Sequence, residues 1–218
     1  MSSESHDGND ANDTRKRILD AAFATFTEHG YVASSTLEIA TRAQVSKREL
    51  YALVGNKQAL LVACIGRRAR QLELPTDVPE LLDRETLTQA LTTVGMHILR
   101  EISDPKVVAA FRLAIAEALH APEVARTVDS IGRETIRAAL RGMMARAQAS
   151  GLLEGSPAEL AEQFGTLLWG NLMINLLLGV SKRPTSREAA SRARDATAAF
   201  LTLHPPHTPT TQSYQQRQ

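Results

Sequence analysis

The sequence predicts an all-α fold: an N-terminal three-helix helix-turn-helix domain followed by a larger C-terminal helical domain. Three observations carry this. Apolar residues make up 43% of 218 positions while aromatics make up only 4%, with Ala and Leu abundant, a balance that favours helix over sheet. Two helix-start signatures, Ser35 with Glu38 and Ser46 with Glu49, lie eleven residues apart. No stretch alternates apolar and polar residues as a half-buried strand would.

The first helix is expected from about Thr14 to His29. Ile18, Leu19, Ala22, Phe23 and Phe26 recur at helical spacing, and Gly30 supplies the stop. Each serine–glutamate pair that follows predicts a capping box: the serine oxygen accepts a first-turn backbone N–H, and the glutamate reaches back to the serine N–H. Leu37, Ile39, Ala40 and Ala43 give the second helix an apolar face, and Leu50, Tyr51 and Val54 give one to the third. Two short helices joined by a tight connection form a helix-turn-helix, whose second helix enters the DNA major groove. Phe23, Phe26 and Tyr31 belong to its core. A fourth helix starts with Asn56 as its N-cap and carries Ala59, Leu60, Ala63, Cys64 and Arg67 toward Leu74. Pro75 and Pro79 mark a break.

Further helices are expected at Asp83–Ser103, Pro105–Leu119, Pro122–Ser150, Pro157–Val180 and Ser186–His204, several opening at a proline whose missing N–H is harmless there. The resulting layout is a disordered tail at 1–12, a helix-turn-helix domain at 13–74, a helical domain at 75–204 and a second disordered tail at 205–218.

Charge divides along the chain. Residues 13–70 hold ten Lys/Arg against five Asp/Glu, whereas residues 71–218 hold fifteen against sixteen. A basic block on a neutral remainder fits a phosphate-binding head on a body with another task. No apolar run approaches the roughly 18 residues that span a bilayer, and the polar N-terminus has no apolar signal segment. A cytoplasmic protein with no membrane partner is therefore expected. Cys64 is the single cysteine. The six histidines show no metal-like spacing, and no catalytic constellation or phosphate-cradling glycine loop is present, so no metal, cofactor or enzymatic activity is expected.

Residues 14–65 resemble the DNA-binding head of the tetracycline-repressor (TetR) family of bacterial transcription regulators. The residues that carry the likeness are Thr14-Arg15, Ile18-Leu19-Asp20-Ala21-Ala22, Phe26-Thr27-Glu28-His29-Gly30-Tyr31, Ile39-Ala40, Val45-Ser46-Lys47-Arg48-Glu49-Leu50-Tyr51 and Lys57-Gln58-Ala59-Leu60. The segments Arg112–Ala118 and Glu162–Phe164 are similar to the ligand-binding half of one branch of that family. After Tyr51 the family often has an aromatic, then His or Arg, then Phe; here Ala52, Leu53 and Val54 stand instead. Ala52 and Leu53 thus lack groups that often touch DNA phosphate or sugar.

The chemistry of the head assigns expected roles. Lys47 and Arg48 lie in the first turn of the recognition helix, and the planar fork of Arg48 suits the two major-groove acceptors of guanine. Glu49 is the capping carboxylate. Tyr51 offers its hydroxyl to a phosphate. Lys57 forms a phosphate site with the free N–H groups opening the fourth helix. Arg15, Ser35, Thr36 and Arg42 are expected on the DNA backbone. The resemblance further implies a homodimer on a palindromic, double-stranded operator. Its expected face is formed by the last two helices, with Gly165 and Gly170 allowing close approach and Ala189, Ala190, Ala193, Ala196, Ala199 and Phe200 narrowing the facing helix. It also implies an apolar cavity for a small-molecule effector. The expected lining is Met96, Leu99, Phe111, Ile115, Met143, Met144, Phe164 and Trp169, with His97, Arg112, Asn171 and Asn175 as polar members. The expected function is a ligand-responsive repressor. The alternative is a small-molecule or protein adaptor that has lost operator binding, motivated by Ala52 and Leu53.

Overall fold

A computed structural model describes residues 4–70 and 80–206. Its secondary structure is helical, with no strand among the described residues. The break expected at Pro75 and Pro79 lies outside them, as do residues 1–3 and most of the C-terminal tail, 207–218.

The helices are α1 (Glu4–His29), α2 (Thr36–Ala43), α3 (Lys47–Leu53), α4 (Lys57–Ala69), α5 (Arg84–Ile102), α6 (Pro105–Ala116), α7 (Pro122–Thr127), α8 (Glu134–Ala149), α9 (Pro157–Trp169), α10 (Leu172–Leu178) and α11 (Ser186–Leu203). Three of these differ from the expectation. The first helix begins at Glu4, so residues 4–12 extend a helix rather than forming a disordered tail. Extending a helix that is already nucleated adds one hydrogen bond per residue. The run 122–150 is interrupted by a π-helical turn at Val128–Arg133. The run 157–180 breaks at Gly170, which ends α9 at φ +40°.

By packing, the chain forms two compact units. The first draws on Met1–Glu73, Glu101–Ile136 and Met173–Arg183. Its core is the three-helix head, with Ile18, Phe26, Ile39, Leu50 and Leu60 wholly buried. Ala110, Leu113 and Ala114 of α6 and Val124 of α7 enter the same core, so the head does not close on itself. Cys64 is buried in it and donates to the Leu19 carbonyl at 3.3 Å; burial pushes its thiol up to about 12.

The second unit draws on Leu74–Arg100, Arg137–Leu172 and Pro184–Gln218. α9 packs on α11 there, with the Phe164 and Phe200 rings edge to face at 5.4 Å. Ala189, Ala193, Ala196 and Phe200 are buried within the chain, while Ala190 is half-buried and Ala199 exposed. Gly165 also serves another purpose than helix approach. A Cβ there would stand 2.5 Å from the Trp169 ring, so the missing side chain makes room for an indole one turn along the same helix. The close-approach glycine is Gly95 of α5, whose Cβ would meet Leu168 at 3.0 Å and Ala193 at 3.3 Å. Two arginines tie the helix ends: Arg192 donates to the Leu168 and Trp169 carbonyls at 2.6 and 2.7 Å, and Arg84 to those of Leu152, Leu201 and His204. Each satisfies terminal carbonyls that helices leave unpaired.

Gly165→Ala is expected to displace the Trp169 indole, costing about 1–3 kcal/mol as overpacking does. Trp169 is the chain's single tryptophan, so a shift in its emission maximum together with a lowered melting temperature checks the expectation.

Candidate nucleic-acid interface and apolar cavity

Both helices of the expected reading motif begin as the serines require. Ser35 Oγ accepts from Glu38 N at 3.1 Å, and Ser46 Oγ from Glu49 N at 3.0 Å. Asn56 caps α4 in the same way, through Ala59 N at 2.9 Å. The glutamates do not complete the boxes. Glu38 lies instead 3.2 Å from His29 Nε2, and the full reciprocal box is formed at Thr185 with Glu188. The turn between α2 and α3 passes through Gln44, the one non-glycine residue at positive φ (+56°) among the described residues. Its N–H bonds back to Thr41 and that of Val45 to Ala40, closing α2. Nothing in the sequence spacing marked Gln44, because glutamine carries no left-handed preference.

On the exposed side, Lys47 and Arg48 project from the first turn of α3, and Arg48 has no intramolecular partner among the described residues. Tyr51 is 45% exposed. Its hydroxyl lies 3.3 Å from Thr36 Oγ1, and Lys47 Nζ sits 5.9 Å from its ring centre. Thr36, Tyr51 and Lys47 therefore form one surface across α2 and α3, with Ser35 beside it at the start of α2. Arg15 is exposed on α1. Arg42 is exposed but engaged: it makes a two-pronged pair with Glu28, at 2.5 and 2.8 Å, whose hydrogen bonds hold the Glu28 carboxyl below its usual range. Ala52 is exposed, Leu53 is half-buried, and Val54 packs on the head core as a filler.

Lys57 is turned inward. Its Nζ donates to the Val32 carbonyl at 3.0 Å and lies 4.7 Å over the Tyr31 ring, and burial lowers its pKa. The Val32 N–H is held from the other side by Glu117 Oε1 at 3.1 Å. Glu117 ends α6 and is itself buried. Gly30, at φ +86°, clears space for this carboxylate, since a Cβ there would stand 2.7 Å from it. The loop leading into α2 is thus gripped by α4 at one backbone group and by α6 at the other.

α4, α6 and the π-helical turn also line a cavity of about 40 Å³. Ile65, Arg68 and Ala69 line it from α4, and Val107, Ala110 and Phe111 from α6. The remaining walls are Ile102, Val128, Gly132, Arg133 and Ile136. Of the expected ligand residues, the cavity holds Phe111. Arg112 instead donates to the Leu176 and Leu177 carbonyls, and Ile115 is 61% exposed. Asn175 accepts from Val180 and Ser181 through its backbone carbonyl, and Asn171 is exposed. In the second unit, Met143, Met144, Leu99 and Phe164 are buried, and Met96 is 37% exposed. Trp169 covers Gly165 there, and the His97 Nδ1 lies 3.5 Å from Arg100. Arg68 was missed although a signal existed: Leu60, Cys64 and Arg68 recur every four residues, so a charge stands in register with a buried stripe.

A capped, basic helix-turn-helix packed on further helices defines a DNA-binding regulator. Residues 18–64 match the family described as "Bacterial regulatory proteins, tetR family", and residues 89–204 match "AefR-like transcriptional repressor, C-terminal domain". The chain belongs to the TetR family of transcriptional regulators. Among its relatives, the HTH-type transcriptional repressor KstR of Mycolicibacterium smegmatis is 28% identical over 193 residues, 87% of this chain and 88% of that protein. Among solved structures, the "Flavonoid-responsive Regulator FrrA" is 30% identical with a TM-score of 0.76, over 90% of this chain and all of that one. A TetR transcriptional regulator from Agrobacterium tumefaciens is 27% identical with a TM-score of 0.72, over 87% and 94% of the two chains. The family and these relatives are transcriptional regulators, not enzymes. No helix among the described residues is long and apolar enough to cross a membrane.

Gln44→Gly is expected to stabilise the chain by about 0.5–1 kcal/mol, because the left-handed cost to a side chain exceeds the extra unfolded-state entropy of glycine. Glu117→Ala is expected to cost about 1.5–3 kcal/mol by removing the charged acceptor of the Val32 N–H. Denaturant midpoints of the two variants check both signs.

Proposed function

We propose that the chain is a homodimeric transcriptional repressor that binds a palindromic operator and is released by a small apolar effector. The carrying observation is the free guanidinium of Arg48 in the first turn of α3, beside Lys47 and Tyr51 on an exposed surface. A planar donor fork there suits guanine in the major groove. Thr36, Tyr51 and Ser35 supply hydroxyls to the flanking phosphates, Lys47 and Arg15 add positive charge, and Arg42 contributes once it leaves Glu28. Lys57 acts chiefly by holding the loop before α2 and adds its charge to the field of the head. The adaptor reading rests on Ala52 and Leu53 alone, and the unpartnered Arg48 favours the operator.

A single head reads too few base pairs for selectivity, so pairing of two copies is required. With the alanine face of α11 used internally, the outward faces of α9 and α11 are the pairing surfaces. Glu159, Glu162 and Thr166 stand exposed along α9, and Arg187, Arg194 and Ala198 along α11. Acidic and basic stripes of this kind are complementary across a two-fold axis. The relatives' names, a repressor and a flavonoid-responsive regulator, support repression and a small organic effector. The protein acts on DNA in the bacterial cytoplasm.

Fluorescence anisotropy on palindromic duplexes from the neighbouring intergenic DNA tests the reading. Arg48→Ala is expected to lower the specific-to-scrambled affinity ratio by about tenfold, the worth of one good base contact. An unchanged ratio removes Arg48 as a base reader. Sedimentation is expected to give about twice the 23.7 kDa chain mass, whereas a mass of one chain sinks the dimer and the palindrome with it.

A further inference from the structure

One stripe of α6 enters the DNA-binding head, and it ends on a charge. Ala110, Leu113, Ala114 and Glu117 stand at i, i+3, i+4 and i+7, so they share one face of the helix, with Glu117 as its C-cap. The three apolar members belong to the head core. Glu117 is nearly as buried as they are, at 8% exposure. A carboxylate there costs desolvation that an apolar residue would avoid, unless hydrogen bonds offset it. Its seat is fitted to it. Oε1 accepts from the Val32 N–H at 3.1 Å. Gly30 leaves the adjoining space open, since a Cβ there would stand 2.7 Å from Oε1. The Glu117 backbone is fixed on both sides: its N–H donates to the Leu113 carbonyl, and its carbonyl accepts from His120 and Ala121. The Val32 side chain is 57% exposed, so burial does not anchor it. Val32 is held by its backbone, with Glu117 on the N–H and Lys57 on the carbonyl.

We propose that Glu117 is a specificity-determining positioning residue: from α6 it fixes the loop before α2, and thereby the pose of α3 and the half-site spacing that two paired heads accept. The inference rests on the operator reading above and adds to it a residue outside the reading helices. Ser35, the N-cap of α2, follows Val32 by three positions, so little chain remains to absorb a shift before α2 begins. α2 and α3 then move together. The Gln44 and Val45 N–H groups close their turn on the Thr41 and Ala40 carbonyls, and the Thr36 and Tyr51 hydroxyls meet across the two helices. Base contacts demand one pose of α3, whereas attraction to phosphates tolerates many. Two heads in a symmetric pair read two half-sites only where the half-site spacing matches the separation of their recognition helices. Loss of the Glu117 grip therefore costs sequence choice and spacing selectivity rather than attraction to DNA in general.

The test uses the full chain and a duplex that the wild-type protein selects from a randomised library. A scrambled duplex and versions of the selected site with base pairs inserted at its centre accompany it, and fluorescence anisotropy gives the affinities. Glu117→Gln keeps an acceptor at the same reach and loses the charge. Glu117→Asp keeps the charge and loses the reach, and Glu117→Ala loses both. The specific-to-scrambled ratio is expected to stay close to wild type in Glu117→Gln and to fall by about tenfold in Glu117→Asp and Glu117→Ala, the worth of one hydrogen bond to a charged group. Wild type and Glu117→Gln are expected to reject the lengthened sites, while Glu117→Asp and Glu117→Ala discriminate less against them. A residue that only stabilises the fold lowers the active fraction for every duplex alike and moves neither the ratio nor the spacing preference. If Glu117→Ala does not fold, the comparison of Glu117→Gln with Glu117→Asp carries the test. Hydrogen exchange without DNA gives a second reading: Glu117→Asp is expected to quicken exchange from Tyr31 to Leu53 relative to Glu117→Gln and to leave α1 unchanged. A ratio and spacing preference unchanged in Glu117→Asp, or lost as fully in Glu117→Gln, overturns the inference while the operator reading stands. A wild-type protein that selects no duplex, or one without a repeated half-site, sinks the palindromic operator and this inference with it.

Discussion

The loop between α1 and α2 is the constraint on which the DNA-binding head depends. It turns the chain from a long helix into the reading motif, and its backbone groups have no ladder of their own. Side chains fix them instead, each hydrogen bond contributing roughly 0.5–1.5 kcal/mol net. Glu117 meets the Val32 N–H, Lys57 meets the Val32 carbonyl, and the Ser34 hydroxyl donates to the Gly30 carbonyl at 2.6 Å and to that of Thr25 at 3.2 Å. Gly30 is glycine for two reasons at once: its φ lies in the left-handed region, and the Glu117 carboxylate occupies the place of a side chain. The angle at which α2 leaves α1, and hence the pose of α3, follows from these bonds.

Two of the grips come from helices with a second task. α4 presents Lys57 to the loop at its start and Ile65, Arg68 and Ala69 to the cavity further along. α6 presents Phe111 to the cavity and Glu117 to the loop at its end. A rigid helix carries a shift at one end to the other, so the cavity and the loop share two mechanical links. A ligand moves the head only to the extent that it binds one arrangement of these helices better than another. The packing of α6 and α7 into the head core makes such a link direct, since no solvent layer separates the cavity helices from Phe26 and Ile39.

Much of the architecture was legible in the residues. Ser35, Ser46 and Asn56 capped the helices they precede because a short side-chain oxygen next to free N–H groups is a local relation, complete within four residues. The apolar periodicity of α1 placed Ile18, Phe23 and Phe26 in the core for the same reason. The candidate pocket was not legible to the same degree. Met143 and Phe164 do lie inward, but helical spacing records only that a side chain is buried, not which partner it meets. The alanine stripe of α11 illustrates this: it demanded a close neighbour, and within the chain Ala193 meets Gly95 of α5.

The sequence by itself determined the fold class, the two capped helices of the reading motif, the exposed Lys47 and Arg48 on α3, and the family, because these rest on short-range hydrogen bonding and on the sidedness of single helices. Only the tertiary structure decided the rest. It placed Glu117 against Val32 across 85 positions, turned Lys57 inward, set Arg68 over Phe23 beside an apolar cavity, and closed the turn on Gln44 in a left-handed conformation. The first three are contacts between elements distant in the chain, which no local pattern encodes. The last is a local strain that glutamine accepts because the packing of α2 against α3 requires the chain to turn there.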